Sequence, residues 1–159
     1  MQEIAKKLCT ELKARSLTLT TAESCTGGMI GSTITSVAGS SSCYGYGFVT
    51  YANEAKSKLI GVKTETLNKF GAVSPETAKE MAEGALGVSG ADIAIAVTGI
   101  AGPGGGTEEK PVGLVYISVA SKWKETQIYK NLFDGNRDEV RQKTVIRALA
   151  LALENIIMR

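Results

Sequence analysis

A chain of 159 residues without a single histidine must do any acid–base chemistry with other groups. Histidine is the commonest general base near neutral pH and a common zinc ligand, so a nucleophile here needs lysine, tyrosine, a carboxylate or a helix terminus to activate it. Residues 21–28, TAESCTGG, set hydroxyls, a thiol and two glycines at a strand-to-helix turn. Free N–H groups and hydroxyls at such a turn favour a phosphate or carboxylate, with Ser24, Thr26 and Gly27 as its contacts. Plain N-capping by Ser24 or Thr26 is the alternative. Cys25 gains nucleophilic character from a helix N-terminus, although a lone cysteine without histidine is more often a small buried apolar residue.

The second segment is GSSSC, residues 39–43, followed by FVTYANEAK, residues 48–56. A serine on a tight glycine turn exposes its hydroxyl. Lys56, in the first turn of the next helix, sits beside the positive end of the helix dipole, and partial burial would lower its pKa further. Such a lysine is a neutral base near pH 7, with Tyr51 placed to relay a proton. The alternative is a polar turn and a solvated surface lysine. The third segment, TGIAGPGGGTEEKPVG at 98–113, follows the apolar run IAIAV and holds six glycines and two prolines in sixteen residues. A buried strand that empties into a glycine-rich loop brings backbone N–H groups to an anion, through Thr98, Gly99, Ala101 and Gly102. It has neither the Walker lysine nor the GxGxxG spacing, and a flexible hairpin connection is the alternative. Lys110 is a solvated loop charge or meets an anionic substrate. Arg137 and Arg141, one turn apart, form a phosphate clamp or pair with Asp138 and Glu139.

Hydrophobic spacing gives the scaffold that holds these groups. Ile4, Leu8 and Leu12 mark one face of an opening helix. A short strand over 17–21 leads into the TAESCTGG turn and a helix over 29–37, and a glycine-broken strand runs over 44–51. Asn53 is placed to cap the helix that carries Lys56. Ser74–Pro75 opens a helix with Ala78, Met81, Ala82 and Ala85 on its face. Strands over 92–97, 112–120 and 126–133 come next, the last two as a hairpin. Asn136 with Glu139 starts the final helix in a capping box, with Val140, Val145, Leu149, Ala152, Leu153 and Ile156 as its stripe. Strands and helices alternate first and two strands then come in succession. This order implies an α/β fold, a three-layer α/β/α sandwich around a mixed sheet.

The length suits one domain over 1–159. Apolar residues make up 43% and charged residues 21%, with a net charge of +2, as expected of an ordinary globular protein. Basic residues are dispersed and aromatics few, so no nucleic-acid partner is expected. The charged, amphipathic first helix has no apolar core of a leader, and no stretch approaches a membrane span, which makes the cytoplasm the default location. Cys9, Cys25 and Cys43 form no paired framework, and no metal site is expected.

Taken together, TAESCTGG, GSS followed by GFVTYANEAK, GAVSPETA, and VTGIAGPGGGTEEKPVG strongly resemble the C-terminal domain of the competence/damage-inducible CinA family, in the family's order and across nearly the whole chain. The resemblance implies a mixed, mostly parallel five-stranded sheet and a homodimer. It also implies the activity of the free-standing members, which hydrolyse nicotinamide mononucleotide to nicotinate mononucleotide and ammonia without a cofactor. By the same resemblance Ser41 is the nucleophile, with Ser40 and Ser42 as competitors. Lys56 is its base, directly or through Tyr51. Ser24 and the loop from Thr98 line the site, and Arg137, or else Arg141, contacts the substrate. The N-terminal domain of larger members, associated with pyrophosphatase activity, has no counterpart in the matched motifs.

Overall fold

The computed structural model describes residues 1–159. Eleven main elements succeed one another as α1 (Gln2–Ala14), β1 (Leu19–Glu23), α2 (Met29–Thr35), β2 (Tyr44–Val49), α3 (Asn53–Ile60), α4 (Thr64–Phe70), α5 (Pro75–Ser89), β3 (Ile93–Gly99), β4 (Leu114–Ser121), β5 (Lys124–Leu132) and α6 (Arg137–Ile157), with a 3₁₀ turn at Ser40–Ser42. The sheet order is β2-β1-β3-β4-β5. β1 pairs parallel to both β2 and β3, while β4 runs antiparallel to β3 and β5. Four strands therefore point one way and β4 alone opposes them, as expected of a mixed, mostly parallel sheet.

Period-two alternation along β3 sorts the two helical layers. Ile93, Ile95 and Val97 face a large core built with α1, α2 and α6, where Leu8, Leu12, Ile30, Ile34, Val145 and Leu149 are buried. Ala94 and Ala96 face the other way, against Met81, Ala82 and Ala85 of α5 and Ile60 at the end of α3. Small residues on this second face let α5 lie close to the sheet. Gly84 extends the same logic to α3, since a Cβ there would overlap the Ile60 carbonyl. The crossing of α3 on α5 thus depends on a missing side chain.

Element boundaries differ from expectation where local chemistry decides them. β1 begins two residues later than the expected strand and ends at Glu23, and β2 stops at Val49, short of Tyr51. Ala52, not Asn53, is the N-cap of α3, and no side chain caps it. The short helix α4 has too few apolar residues to show periodicity and leaves no signal in the sequence. The other two caps expected from sequence are present. The Ser74 hydroxyl accepts from Thr77 N–H behind Pro75, and Asn136 and Glu139 make the reciprocal capping box.

Candidate active site

The C-terminal edge of the parallel strands gathers most of the sequence-selected residues, as open α/β sheets do. β1 ends in the turn that carries Ser24, β2 in Thr50 and Tyr51, and β3 in Thr98 and Gly99. Between them lies a cavity of about 260 Å3 lined by Ser24, Cys25, Tyr51, Lys56, Thr98 and Arg137, by the loop residues Gly99–Gly102, Gly104 and Gly105, and by Ala72 and Val73. Larger surface clefts exist, one of about 410 Å3 between α3 and α4, but its lining includes neither Ser24 nor Lys56.

Lys56 is the decisive residue. It stands on the first turn of α3, is fully buried, and points back toward the strand ends. Its amine donates to Thr50 O at 2.8 Å, to the Ser24 hydroxyl at 3.2 Å and to Tyr51 O at 3.4 Å. It forms no ion pair with a carboxylate. Burial therefore pushes its pKa below the usual lysine range, and the only opposing influence is the nearby Cys25. A lysine held by carbonyls and one hydroxyl can be neutral, and a neutral amine on a serine hydroxyl is a general base on a nucleophile.

The turn after Ser24 is shaped for charge. Gly27 and Gly28 adopt positive φ, which a β-carbon would resist. Gly27 N–H donates to Ser24 O, while Cys25 N–H, the amide next to the Ser24 hydroxyl, donates to no oxygen of the chain. From the other side Arg141 fixes the turn, with Nε donating to Cys25 O at 3.2 Å and Nη2 to Thr26 O at 3.0 Å. The Cys25 thiol lines the cavity, but burial pushes its pKa up to about 11. The thiol is therefore protonated at neutral pH.

The glycine loop closes the opposite wall. Gly99 has no room for a side chain, since a Cβ would stand 2.7 Å from Leu114 O, and Gly102 has φ +84° against Val112. The amides of Ala101, Gly102, Gly104 and Gly105 donate to no acceptor within the chain, although Ala101 and Gly102 are buried. Arg137, the first residue of α6, ties the loop to the β2 side of the cavity. Its Nη1 donates to Gly102 O at 2.8 Å and its Nη2 to the Tyr51 hydroxyl at 3.0 Å. Thr98 Oγ1 donates to Ala72 O and fixes the segment before α5.

Several of the residues selected from sequence lie apart from this cavity. Ser41 and its neighbours Ser40 and Ser42 sit before β2, at the N-terminal edge of the sheet, with the length of the strand, roughly 20 Å, between them and Lys56. Ser41 is exposed, and Ser42 shares a cleft with Lys13, whose amine is instead bonded to Ala38 O. The glycine turn exposes Ser41 and Ser42 as expected but buries Ser40, and it lies at the opposite end of β2 from the cavity. Thr26, Gly27 and Arg141 do not line the cavity, because each is spent on the turn itself. The Tyr51 hydroxyl meets Arg137, and what Tyr51 offers Lys56 is its carbonyl. Lys110 reaches Phe70 O at 2.7 Å and tethers the loop to the end of α4.

Sequence reasoning misses Glu23. Its buried carboxylate occupies the N-terminus of α2, the position expected to take a ligand anion. An acidic residue just before a glycine turn is the available signal. Ala72 and Val73 are missed as well, since small apolar residues ahead of a helix start carry no chemical signal of their own.

The fold and its cavity together describe a three-layer α/β/α protein with a buried lysine on a serine, at the mouth of a glycine-rich loop. The chain belongs to the CinA C-terminal domain family, whose profile matches residues 1–156. It is 48% identical over 149 residues to a protein of Escherichia coli named nicotinamide-nucleotide amidohydrolase PncC, covering 94% of this chain and 90% of that one. It is 51% identical to a putative competence-damage inducible protein of Caldanaerobacter subterraneus and 52% identical to a CinA-like protein of Endomicrobium trichonymphae, of which it spans only 35% and 36%. A solved competence/damage inducible protein of Agrobacterium tumefaciens superposes with a TM-score of 0.92 at 48% identity, over 96% of this chain and 94% of that one. A CinA superfamily protein of Klebsiella pneumoniae superposes with a TM-score of 0.95 at 35% identity, over 99% and 98%. No helix is long and apolar enough to cross a membrane.

Proposed function

We propose that the protein is a serine amidohydrolase that converts nicotinamide mononucleotide and water to nicotinate mononucleotide and ammonia in pyridine nucleotide recycling. The observation that carries this reading is the 3.2 Å contact between a buried, carboxylate-free Lys56 amine and Ser24. The name of the Escherichia coli relative, which matches nearly end to end, supplies the substrate.

Neutral Lys56 takes the Ser24 proton as Oγ attacks the carboxamide carbon. The oxyanion of the tetrahedral adduct meets the Cys25 N–H, which no oxygen of the chain engages and whose turn Arg141 holds. Removal of one such donor costs about 3 to 4 kcal/mol in other acyl-transfer enzymes. Lys56 returns the proton to the amide nitrogen, the C–N bond breaks, and ammonia leaves the nicotinoyl ester on Ser24. Water then attacks the ester carbon, giving its proton to Lys56, which passes it to the departing Ser24 Oγ. One amide and one water become one carboxylic acid and one ammonia, and the serine is restored. Ala72, Val73 and Ile100 give the pyridine ring an apolar wall, and Arg137 with the unpaired loop amides receives the phosphate. The resemblance to free-standing family members leads us to expect a cytoplasmic homodimer.

The test is ammonia release from nicotinamide mononucleotide by the wild type and Ser24→Ala. Turnover in the wild type that disappears in the variant is expected. Binding of the mononucleotide without turnover in the wild type would make the chain a nucleotide-binding module instead.

A further inference from the structure

We infer that Glu23 is a positioning residue for Ser24: its carboxylate takes the place of a bound anion at the start of α2 and so holds the turn that aims the serine hydroxyl at Lys56. This rests on the proposed role of Ser24 and Lys56.

Glu23 is the last residue of β1 and is 1% exposed. Its Oε2 accepts from the Thr26 hydroxyl at 2.6 Å, from Gly28 N–H at 3.1 Å and from Ile30 N–H at 2.9 Å, and its Oε1 accepts from Gly31 N–H at 2.8 Å. No cation pairs with it. The four donors and the helix N-terminus together replace the water it has lost. An isolated buried carboxylate is expensive, and this one is kept where a shorter or neutral side chain would leave first-turn amides unsatisfied.

The same residue reaches the other half of the pair through its backbone. Glu23 O accepts from Thr50 N–H at 2.8 Å, and Thr50 O is the closest acceptor of the Lys56 amine. Ser24 lies between these two anchors. Its own N–H is held by Val97 O, so the hydroxyl direction is set by how the chain leaves Glu23 toward Thr26. Thr26 is bonded to the Glu23 carboxylate, and Arg141 binds the Cys25 and Thr26 carbonyls from outside. Loss of the carboxylate frees Thr26 and Gly28, and with them the turn, while the loop and Arg137 that hold the substrate make no contact with Glu23.

Glu23→Gln keeps the size but turns an amide NH₂ toward backbone donors, and Glu23→Asp keeps the charge but is one methylene short. Each is compared with the wild type for turnover of nicotinamide mononucleotide, for the KM, and for the rate at which a fluorophosphonate labels Ser24. Labelling forms an Oγ–P bond with loss of fluoride and needs the same serine–lysine geometry. A misplacement of this kind is expected to lower kcat and the labelling rate together by about 10- to 100-fold with KM little changed. A merely structural defect would reduce the fraction of active protein and leave kcat per titrated site alone. Wild-type kcat and labelling in both variants would overturn the inference. If one variant does not fold, the other decides. Wild-type protein that turns over yet is never labelled at Ser24, with Ser24→Ala still active, would mean that the serine assignment has failed instead.

Discussion

The Lys56 amine lies 3.2 Å from the Ser24 hydroxyl although the two residues are 32 positions apart in the chain. A parallel crossover, β1 to α2 to β2, brings them together. Because both strands run the same way, the segments leaving their C-terminal ends arrive at the same edge of the sheet. The segment before β2, which holds Ser41, is delivered to the opposite edge by the same rule.

Ser24→Ala should therefore lower kcat by about a thousandfold or more, as loss of a nucleophile does. Ser41→Ala should leave kcat unchanged. The two variants assayed side by side for ammonia release decide between the serines, and the reverse pattern would return the nucleophile to the glycine–serine turn.

Lys56→Met should reduce kcat by roughly 10²- to 10⁴-fold, the usual contribution of a general base, with little change in substrate binding. In the wild type the acid limb of kcat/KM should report the depressed lysine, activity rising as pH climbs through its pKa and the amine becomes neutral. A wild-type profile without that limb would separate Lys56 from the proton transfer.

Arg137→Ala should act chiefly on KM. Loss of a charge-assisted bond to phosphate, worth about 1.5 to 3 kcal/mol, corresponds to about a 10- to 150-fold rise. Arg141→Ala should instead lower kcat, because its guanidinium holds the turn carbonyls next to Ser24. Michaelis curves for both variants separate the two roles.

Cys25→Ala should keep kcat within about threefold, since a thiol pushed up to about 11 contributes almost no thiolate at neutral pH. Alkylation by iodoacetamide should be slow for the same reason. Rapid inactivation, protected by substrate, would point to a cysteine amidase.

Most of the architecture is legible in the sequence because its signals are local. Ser74–Pro75 and Asn136 with Glu139 state their helix starts outright, and the alternating face of β3 is written in its isoleucines and alanines. Lys56 is legible in its place, on the first turn of a helix after β2, but residue types alone leave it open to a solvated surface position as well. The serine is not. Choosing between Ser24 and Ser41 requires knowing which end of β2 each reaches, and that is a property of strand direction, absent from residue type. Glu23 escapes for a related reason. Its side chain mimics the ligand that the turn is expected to bind, so the signal for an anion site is real and its occupant is internal.

The isolation of Lys56 from any carboxylate also bears on folding. An amine whose pKa is depressed in the native state holds its proton less firmly there than in the unfolded chain. Between that depressed value and the ordinary lysine value of about 10.4, the unfolded state binds more protons, so the native state gains stability as pH rises. Below that window both states are protonated and the full penalty of a buried charge persists. The raised thiols of Cys9 and Cys25 act in the opposite sense in alkali; that of Cys9 cancels when wild type and Lys56→Met are compared, whereas Cys25 loses a neighbouring amine, so the comparison is made below the range in which thiols titrate. The methionine variant should therefore melt higher, by a margin that is greatest at low pH and shrinks as pH rises. Chemical competence at this site is held against the preference of the fold, which would be firmer with an inert side chain in the lysine's place.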